Sequence, residues 1–382
     1  MNKIKNSKNN FSISSSGNEN FIIAGGGTGG HIFPAVAIAN AIKQALPSAE
    51  ILFVGAKGKM EMEKIPQVGY NIAGIDIAGF NRSSLFKNIG LPFKLIESFF
   101  QVKKIFKSFK PLAVIGVGGY STFPVLKFAQ SKNIPTFIHE SNSFAGKSNI
   151  MLGKNATEIF VASDGMEKFF PADKISVTGN PVRKTIAESS ITKHEAINFF
   201  QLDENKKTIL SIGGSLGAKS INEAIAANIN EFEKNNLQLI WQTGKVNAEK
   251  YKAAALGKKN IWVNEFIQQM EMAYAAADVV ISRAGAMSVT ELCMVGKPVV
   301  FVPFPFAAED HQTANAMNLV NKHAALIVKD NEVKEKLIDA IISLSKDEFL
   351  QQSLQKNIQL LAIKNADEII AEKIISFVRN KK

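Results

Sequence analysis

Short apolar runs alternate with longer amphipathic segments along most of the chain, and several of these runs end in glycine. The first run, residues 21–24, leads into a segment with five glycines between positions 25 and 30. A helical pattern over 35–46 and a second apolar run over 51–54 follow. This order predicts a βαβ unit with a glycine-rich loop after its first strand. Backbone N–H groups of such a loop can approach a ligand closely, and the helix start behind it favours an anion.

The remaining apolar runs of the first half also end in residues with functional groups. The run over 113–117 leads into a second glycine turn, and the run over 136–139 leads into the polar residues 140–142. A further run over 175–177 precedes a turn-rich passage. Because the carboxyl ends of parallel strands meet at one edge of a sheet, we predict that a ligand site lies at these strand ends.

The second half of the chain repeats the same order of patterns. A strand is predicted over 208–212, a glycine loop over 213–218, and a helix from about Lys219. Further predicted strands, at 237–241, 260–263, 279–281 and 299–302, alternate with helical segments. A polar helix and three terminal helices without strands complete the chain. The patterns therefore predict an α/β fold with two doubly wound, Rossmann-like domains built on parallel sheets.

The turn-rich passage after 175–177 is the predicted domain boundary. Residues 1–20 are rich in Asn, Ser and Lys and are predicted to form a disordered tail. The N-terminal domain is placed at 21–182 and the C-terminal domain at 183–365. A last helix, at about 366–382, is expected to pack back on the first domain.

The formal net charge of +11 is unevenly distributed. Residues 1–110 contain fourteen Lys and Arg but only six Asp and Glu, so most of the surplus lies in the first domain. Such a surplus favours an anionic partner, whether nucleic acid, phosphorylated substrate or acidic lipid. The one cysteine, Cys293, excludes an intramolecular disulfide and fits a reducing, cytoplasmic setting. No apolar run reaches the roughly 18 residues of a transmembrane helix.

Residues 81–110 combine basic and bulky apolar side chains, with Glu97 as the one acidic residue. Lysines beside phenylalanines are typical of an element that lies on an anionic membrane surface. An amphipathic helix with its phenylalanines in the core has the same periodicity, so both interpretations stay open. The candidate inserting side chains are Phe86, Phe93, Phe99 and Phe100.

His31 stands at the end of the first glycine loop, where it is either a functional group or an ordinary helix-start residue. The spacing Gly25-x-Gly27-x-x-Gly30 also matches the dinucleotide fingerprint. That fingerprint calls for an acidic residue at the end of the second strand, where this chain has Gly55, so the nicotinamide interpretation is weakened.

Seven motifs in this order closely resemble the GT-B glycosyltransferases of family 28, over nearly the whole chain after residue 20. They are Gly26-Gly27-Thr28-Gly29-Gly30-His31, Gly118-Gly119-Tyr120, His139-Glu140 with Asn142, Gly179-Asn180-Pro181-Val182-Arg183, Gly213-Gly214-Ser215, Glu265-Phe266-Ile267 and 286–291. The resemblance is to the bacterial enzymes that move N-acetylglucosamine from UDP onto undecaprenyl-diphospho-N-acetylmuramoyl-pentapeptide (lipid I), which gives lipid II for peptidoglycan. It implies a GT-B fold with the active site in the cleft between the domains. The C-terminal domain would bind UDP-N-acetylglucosamine (UDP-GlcNAc), and the N-terminal domain would face the acceptor and the membrane.

The resemblance also implies roles for residues of the second domain. Phe266 and the backbone of Ile267 would frame the uracil, and Glu291 would accept hydrogen bonds from the ribose hydroxyls. Ser215 and the start of the following helix would hold the diphosphate, while Gln312 would reach the sugar. The residues at that helix start are Ala286, Met287, Ser288, Val289 and Thr290.

Further contacts are implied across the cleft. The donor contacts would be completed by Thr28, Gly29, Gly30, Asn142 and Arg183. The acceptor side would be formed by Gly118, Gly119, Tyr120, His139 and Glu140. The chain has Leu216 and Ser141 where the family usually has glutamine, so no contact is assigned to those two side chains.

The implied reaction is an inverting transfer to the C4 hydroxyl of the acceptor's N-acetylmuramic acid, without a covalent enzyme intermediate. An imidazole takes up a proton near neutral pH, so His31 is the predicted base. Helix N-termini can meet the charge of the UDP leaving group, and the chain lacks an Asp-x-Asp motif, so neither a metal site nor a cofactor is predicted. The expected location is the cytoplasmic face of the inner membrane, as a peripheral protein.

Three alternatives remain beside this assignment. One is another GT-B protein, either a lipid glycosyltransferase with a different acceptor or a UDP-sugar epimerase. Another is a binding module without turnover. The basic surface also allows a nucleic-acid-binding protein, but the chain has no zinc, helix-turn-helix or RNA-platform signature, so no nucleic-acid partner is predicted.

Overall fold

The computed structural model describes residues 19–78, 91–214 and 216–381, and within these ranges the strands form two parallel sheets. The first sheet has seven strands in the order β3-β2-β1-β4-β5-β6-β7. They are β1 (Asn20–Ala24), β2 (Glu50–Ala56), β3 (Asn71–Ile75), β4 (Ala113–Gly116), β5 (Thr136–Glu140), β6 (Glu158–Val161) and β7 (Ile175–Val177).

The second sheet has six strands in the order β10-β9-β8-β11-β12-β13, which repeats the order of the first six strands of the other sheet. They are β8 (Lys207–Ile212), β9 (Leu237–Gln242), β10 (Ile261–Asn264), β11 (Val279–Ser282), β12 (Val299–Phe301) and β13 (Leu326–Ile327). This order is that of a doubly wound sheet, in which the chain reverses direction beside the first strand and opens a crevice there. The predicted α/β class with two such domains is confirmed.

Helices connect the strands in both domains. Around the first sheet lie α1 (Gly29–Ala45), α2 (Glu61–Gln67), α3 (Leu91–Phe109), α4 (Thr122–Ser131) and α5 (Lys147–Gly153). Around the second lie α6 (Lys184–Ala187), α7 (Lys193–Phe199), α8 (Lys219–Ala227), α9 (Ile229–Lys234), α10 (Ala248–Ala254), α11 (Met270–Ala276), α12 (Ala286–Val295), α13 (His311–Val320), α14 (Val333–Lys346), α15 (Glu348–Gln359) and α16 (Ala366–Asn380). Short 3₁₀ turns occur at Ala172–Lys174, Ala308–Asp310 and Asp330–Glu332.

The last helix returns to the first domain. α16 packs against α1, and Ile370 and Ile374 are fully buried in the same core as Phe21 and Ile38. The chain therefore crosses between the domains at least twice, once after β7 and once before α16.

Strand register brings the functional loops of the first domain together. Ala24 pairs with Val54 on one side and with Gly116 on the other, and Gly116 pairs with Ile138. Since these strands end at nearly the same level, the loops after β1, β4 and β5 meet at one edge. In the second sheet, Ser282 pairs with Ile212, which places the loops after β8 and β11 side by side.

Some element boundaries differ from the predicted ones. α1 begins at Gly29, six residues before the predicted start, and continues through Pro34. Pro34 removes one hydrogen bond inside the helix but does not end it. β3, β6 and β13 were not predicted, and β13, with two residues, interrupts the terminal segment that was expected to hold helices without strands. The predicted tail lies outside the described residues up to position 18, and β1 begins at Asn20.

Candidate active site

The first glycine loop uses several of its own N–H groups to hold itself in place. Gly25 N donates to Val54 O at 3.2 Å, Gly26 N to Gly118 O at 3.2 Å, and Gly27 N to a side-chain oxygen of Glu61 at 2.7 Å. These three N–H groups therefore bond within the domain and do not face a ligand. The N–H groups at the start of α1, from Gly29 and Gly30, remain for a ligand because they precede the helix's own hydrogen-bonding ladder.

His31 lies in the first turn of α1 and is half-buried. Its Nδ1 lies 3.0 Å from Gly26 O and 3.4 Å from Thr28 Oγ1, which favours the tautomer with the hydrogen on Nδ1. Nε2 then carries the lone pair. Desolvation lowers the pKa of His31, opposed chiefly by the negative charge of Glu140 and by the Gly26 carbonyl, so the ring is neutral at neutral pH.

The second glycine turn closes over the His31 ring. A Cβ at Gly118 would lie 2.8 Å from both Nε2 and Cδ2 of His31, and Gly118 also has a φ of +94°. A Cβ at Gly119 would lie 2.5 Å from Gly26 O, so the two loops are in direct contact. Tyr120, the next residue, has half of its side chain exposed. Of the predicted acceptor-side group, Gly118, Gly119 and Tyr120 thus lie beside His31.

His139 and Glu140 are both buried at the end of β5. Desolvation lowers the pKa of His139 to about 4, only partly offset by the Gly179 backbone. Within the described part of the chain, neither ring nitrogen has a partner with hydrogen-bond geometry. Both oxygens of Glu140 bind the following loop, and one also binds α5: Oε1 accepts from Asn142 N at 3.1 Å, and Oε2 accepts from Gly146 N at 3.0 Å and from Asn149 Nδ2 on α5 at 2.8 Å. Glu140 therefore shapes the loop that carries Asn142, and an acceptor role for either residue stays a prediction.

Asn142 lies at a contact between the two domains. Its Nδ2 donates to Glu140 Oε1 at 3.3 Å, while its Oδ1 accepts from Nδ2 of Asn315 on α13 at 3.1 Å. Asn315 is almost fully buried, and its Oδ1 also accepts from Ser143 N at 2.8 Å. Asn315 was not predicted from the sequence, because its role depends on contacts with residues more than 170 positions away along the chain.

Glu291, on α12, is held from two directions. Arg183 donates to its Oε1 from Nε at 3.3 Å and from a terminal nitrogen at 3.0 Å, and Tyr274 Oη donates to its Oε2 at 3.0 Å. The structure thus brings together Arg183 and Glu291, which were predicted to contact the donor separately. Burial, followed by the nearby Glu291 charge, raises the pKa of Tyr274 well above its ordinary value, so Tyr274 remains a hydrogen-bond donor.

The remaining predicted donor residues of the second domain follow strands of the second sheet. Ala286, Met287, Ser288, Val289 and Thr290 form the half-exposed start of α12, after the β11 strand end. Phe266, after β10, is half-exposed, whereas Ile267 is buried. Gln312 Oε1 accepts from Phe304 N at 2.9 Å. Ser215 lies outside the described residues.

The segment predicted to contact a membrane is described from Leu91 onward, as α3. Val102 and Phe106 pack in the core, whereas Phe93, Ile96 and Phe100 are 74%, 56% and 68% exposed. Phe99 is half-buried, and Phe86 lies outside the described residues. The helix therefore has both a core face and an exposed apolar face. Within the described ranges, no helix is long and apolar enough to cross a bilayer.

Two doubly wound sheets of the same strand order, with glycine loops and helix starts at their carboxyl edges and a contact region between them, define a GT-B glycosyltransferase fold. Models of one glycosyltransferase family match both halves of the chain. The N-terminal domain of glycosyltransferase family 28 matches residues 21–161, and the C-terminal domain of that family matches residues 208–372. The chain therefore belongs to glycosyltransferase family 28.

Individual relatives narrow the class further. The UDP-N-acetylglucosamine--N-acetylmuramyl-(pentapeptide) pyrophosphoryl-undecaprenol N-acetylglucosamine transferase of Phocaeicola vulgatus is 50% identical over 360 residues, which covers 94% of this chain and 96% of the relative. The protein of the same name from Flavobacterium psychrophilum is 49% identical over 362 residues, with coverages of 95% and 98%. Among solved structures, Acinetobacter baumannii MurG superposes with a TM-score of 0.77 at 30% identity, over 94% of this chain and 99% of that one.

Epimerases share the architecture but not the sequence. A UDP-N-acetylglucosamine 2-epimerase structure covers 96% of this chain with a TM-score of 0.63, at 15% identity. A likeness at this identity shows the fold alone, since one fold serves many activities. The epimerase alternative is therefore not favoured over the transferase.

Proposed function

We propose that this protein transfers N-acetylglucosamine from UDP-GlcNAc to lipid I and so forms lipid II for peptidoglycan synthesis. The observation that carries this proposal is the identity of about 50% to transferases of that name, over more than nine-tenths of both chains. The transfer is proposed to be inverting and to use the C4 hydroxyl of the acceptor's N-acetylmuramic acid.

The donor is assigned to the second domain, at 183–365, and the acceptor to the first, at 21–182. Support comes from the start of α12, whose backbone N–H groups suit a diphosphate, and from the carboxylate of Glu291, which suits ribose hydroxyls. Oε2 of Glu291 retains a lone pair beside its bond from Tyr274, whereas Oε1 already accepts two bonds from Arg183. Phe266 is exposed enough for a base to lie against it.

His31 is proposed as the general base. The Nδ1 contact with Gly26 O leaves Nε2 as the proton acceptor, and the lowered pKa keeps the ring neutral. The attacking hydroxyl gives its proton to Nε2 as the new bond to the anomeric carbon forms, and UDP leaves with the electron pair of the broken bond. The N–H groups at the starts of α1 and α12 stabilise the diphosphate charge.

The exposed face of α3 is proposed to rest on the cytoplasmic surface of the inner membrane. Phe93, Ile96 and Phe100 provide apolar contact, and the exposed Lys94, Lys103, Lys104 and Lys107 provide charge. An acceptor with a long polyprenyl chain remains in the bilayer while its sugar enters the cleft, so an enzyme that reaches it from water needs such a surface.

The function is tested with purified protein, UDP-GlcNAc and a lipid I analogue with a shortened prenyl chain. We expect UDP release that depends on the acceptor, together with a product heavier than the acceptor by one N-acetylhexosamine in mass spectrometry. Conversion of UDP-GlcNAc into an isomer without any acceptor would instead identify an epimerase. UDP-GlcNAc binding without turnover of either kind would identify a binding module.

A further inference from the structure

A buried carboxylate lies beneath the first glycine loop, at a position that no motif marked. Glu61, the first residue of α2, is 1% exposed. Its Oε2 accepts a hydrogen bond from Gly27 N at 2.7 Å, and its Oε1 accepts from Ala56 N at 3.0 Å. Burying a carboxylate is costly unless its oxygens are hydrogen-bonded, and here both oxygens are.

Two glycines leave the space that this side chain fills. A Cβ at Gly26 would lie 2.3 Å from Glu61 Cδ, and a Cβ at Gly55 would lie 2.5 Å from Glu61 Cγ. Both distances are far inside van der Waals contact, so any side chain at either position would displace the carboxylate. Gly55, the next-to-last residue of β2, stands where the dinucleotide fingerprint calls for an acidic residue, and the glycine is required here by the Glu61 side chain.

One peptide group connects Glu61 to His31. The Gly26–Gly27 peptide donates its N–H to Glu61 and presents its C=O to His31 Nδ1 at 3.0 Å. Fixing one side of this peptide plane also fixes the other. A negative charge at the N–H side polarises the peptide and strengthens the carbonyl as an acceptor, because hydrogen bonds in a chain reinforce one another.

We propose that Glu61 is a positioning residue for the transfer reaction, which holds His31 through the Gly26–Gly27 peptide in the tautomer that leaves Nε2 free. The inference rests on the proposed role of His31 as the base. The charged or titratable groups around His31 are Glu140, Glu61, His311 and His139. Of the two carboxylates, Glu140 binds its own loop, whereas Glu61 is hydrogen-bonded to the peptide that contacts the ring.

Two variants test separately the charge of Glu61 and the length of its side chain. Glu61→Gln removes the charge and keeps the side-chain length, so we expect kcat to fall about 10- to 100-fold and the acidic limb of the kcat/KM profile to move to lower pH. Glu61→Asp keeps the charge but is one methylene short, so kcat should fall while the acidic limb stays in place. The KM for UDP-GlcNAc should change little in either variant.

Glu63→Gln is the matched control, because Glu63 lies two residues away in α2 with an exposed side chain. If Glu61→Gln does not fold, Gly55→Ala displaces the carboxylate without removing its charge and should lower kcat in a protein that still binds UDP-GlcNAc. A pH profile of Glu61→Gln equal to that of Glu63→Gln, or a loss of kcat that only follows thermal stability, overturns the inference. If His31→Ala keeps its turnover, the assignment of His31 as the base and the assignment of Glu61 as its positioning residue are both wrong. If His31→Ala is inactive and Glu61→Gln behaves like the Glu63→Gln control, only the inference about Glu61 fails.

Discussion

At the scale of single residues, His31 carries the most specific chemical prediction. We expect His31→Ala to fold and to bind UDP-GlcNAc nearly as before, because the ring bonds to Gly26 O and packs against Gly118, both in loops of its own domain. Turnover should fall about 10²- to 10⁴-fold, the usual contribution of a general base. Steady-state kinetics with a lipid I analogue, together with calorimetry of donor binding, measures both quantities. A loss of less than tenfold in turnover would mean that His31 is only a helix-start residue.

The pH dependence follows from the same residue. Desolvation lowers the pKa of His31 below its ordinary value of 6.5, and protonation removes the lone pair that accepts the proton. Activity should therefore decline at acidic pH with a midpoint below 6.5. The profile of kcat/KM for the acceptor reports this group in the free enzyme. A limb centred above 6.5 would contradict the assignment.

Glu291 is the residue to change for the donor. Replacing it with alanine would leave the buried Tyr274 hydroxyl without its partner, so Glu291→Gln is the sharper variant. Losing a charged acceptor of the ribose hydroxyls should weaken UDP-GlcNAc binding by about 1.5–3 kcal/mol. Calorimetry measures this loss, with Glu249→Gln on the exposed face of α10 as the control. Equal affinities in the two variants would remove Glu291 from the donor site.

At the scale of elements, the repeated order of strand, glycine loop and helix was enough to predict two doubly wound domains. It failed where local patterns were short or ambiguous: β13 has two residues, and Pro34 suggested a later start for α1. Glycine loops and helix starts are visible in a sequence because glycine and capping patterns are local. Glu61, Tyr274 and Asn315 were not found, because each acts through burial and partners that only the folded chain brings together.

A prediction about a single element concerns α3 and its binding to membranes. Each lysine near an anionic surface contributes about 1 kcal/mol, so removing several should abolish most binding to anionic vesicles. The variant changes Lys94, Lys103, Lys104 and Lys107 to glutamine. Its control changes four exposed lysines of the second domain in the same way, Lys234, Lys245, Lys250 and Lys259. Sedimentation with vesicles should show lost binding for the first variant alone, and salt should weaken binding of the unchanged protein. Equal, salt-insensitive binding would place the membrane contact elsewhere.

At the scale of the whole molecule, polar contacts between the domains fix how the site residues face each other. Asn315 binds Ser143 N and Asn142 Oδ1, Asn180 Nδ2 donates to Thr290 Oγ1 at 2.9 Å, and Lys322 Nζ lies 2.7 Å from Asp164 Oδ1. These contacts join side chains of α12, α13 and the turn after α13 to the loops after β5, β6 and β7. The donor helix start and the Asn142 loop are therefore positioned by the same set of contacts.

Asn315→Ala tests whether this set controls catalysis. The substitution leaves Ser143 N and Asn142 Oδ1 without their buried partner, at a cost of about 1–3 kcal/mol for each group that water does not reach. We expect a larger radius of gyration in small-angle scattering without ligand, weaker UDP-GlcNAc binding and lower kcat, since Asn142 loses its fixed orientation. Asn321→Ala, at the exposed end of the same helix, should leave all three quantities unchanged. If Asn315→Ala lowers only the unfolding temperature, with scattering, donor affinity and kcat equal to the control, the contact serves stability alone and the domains are aligned by other means.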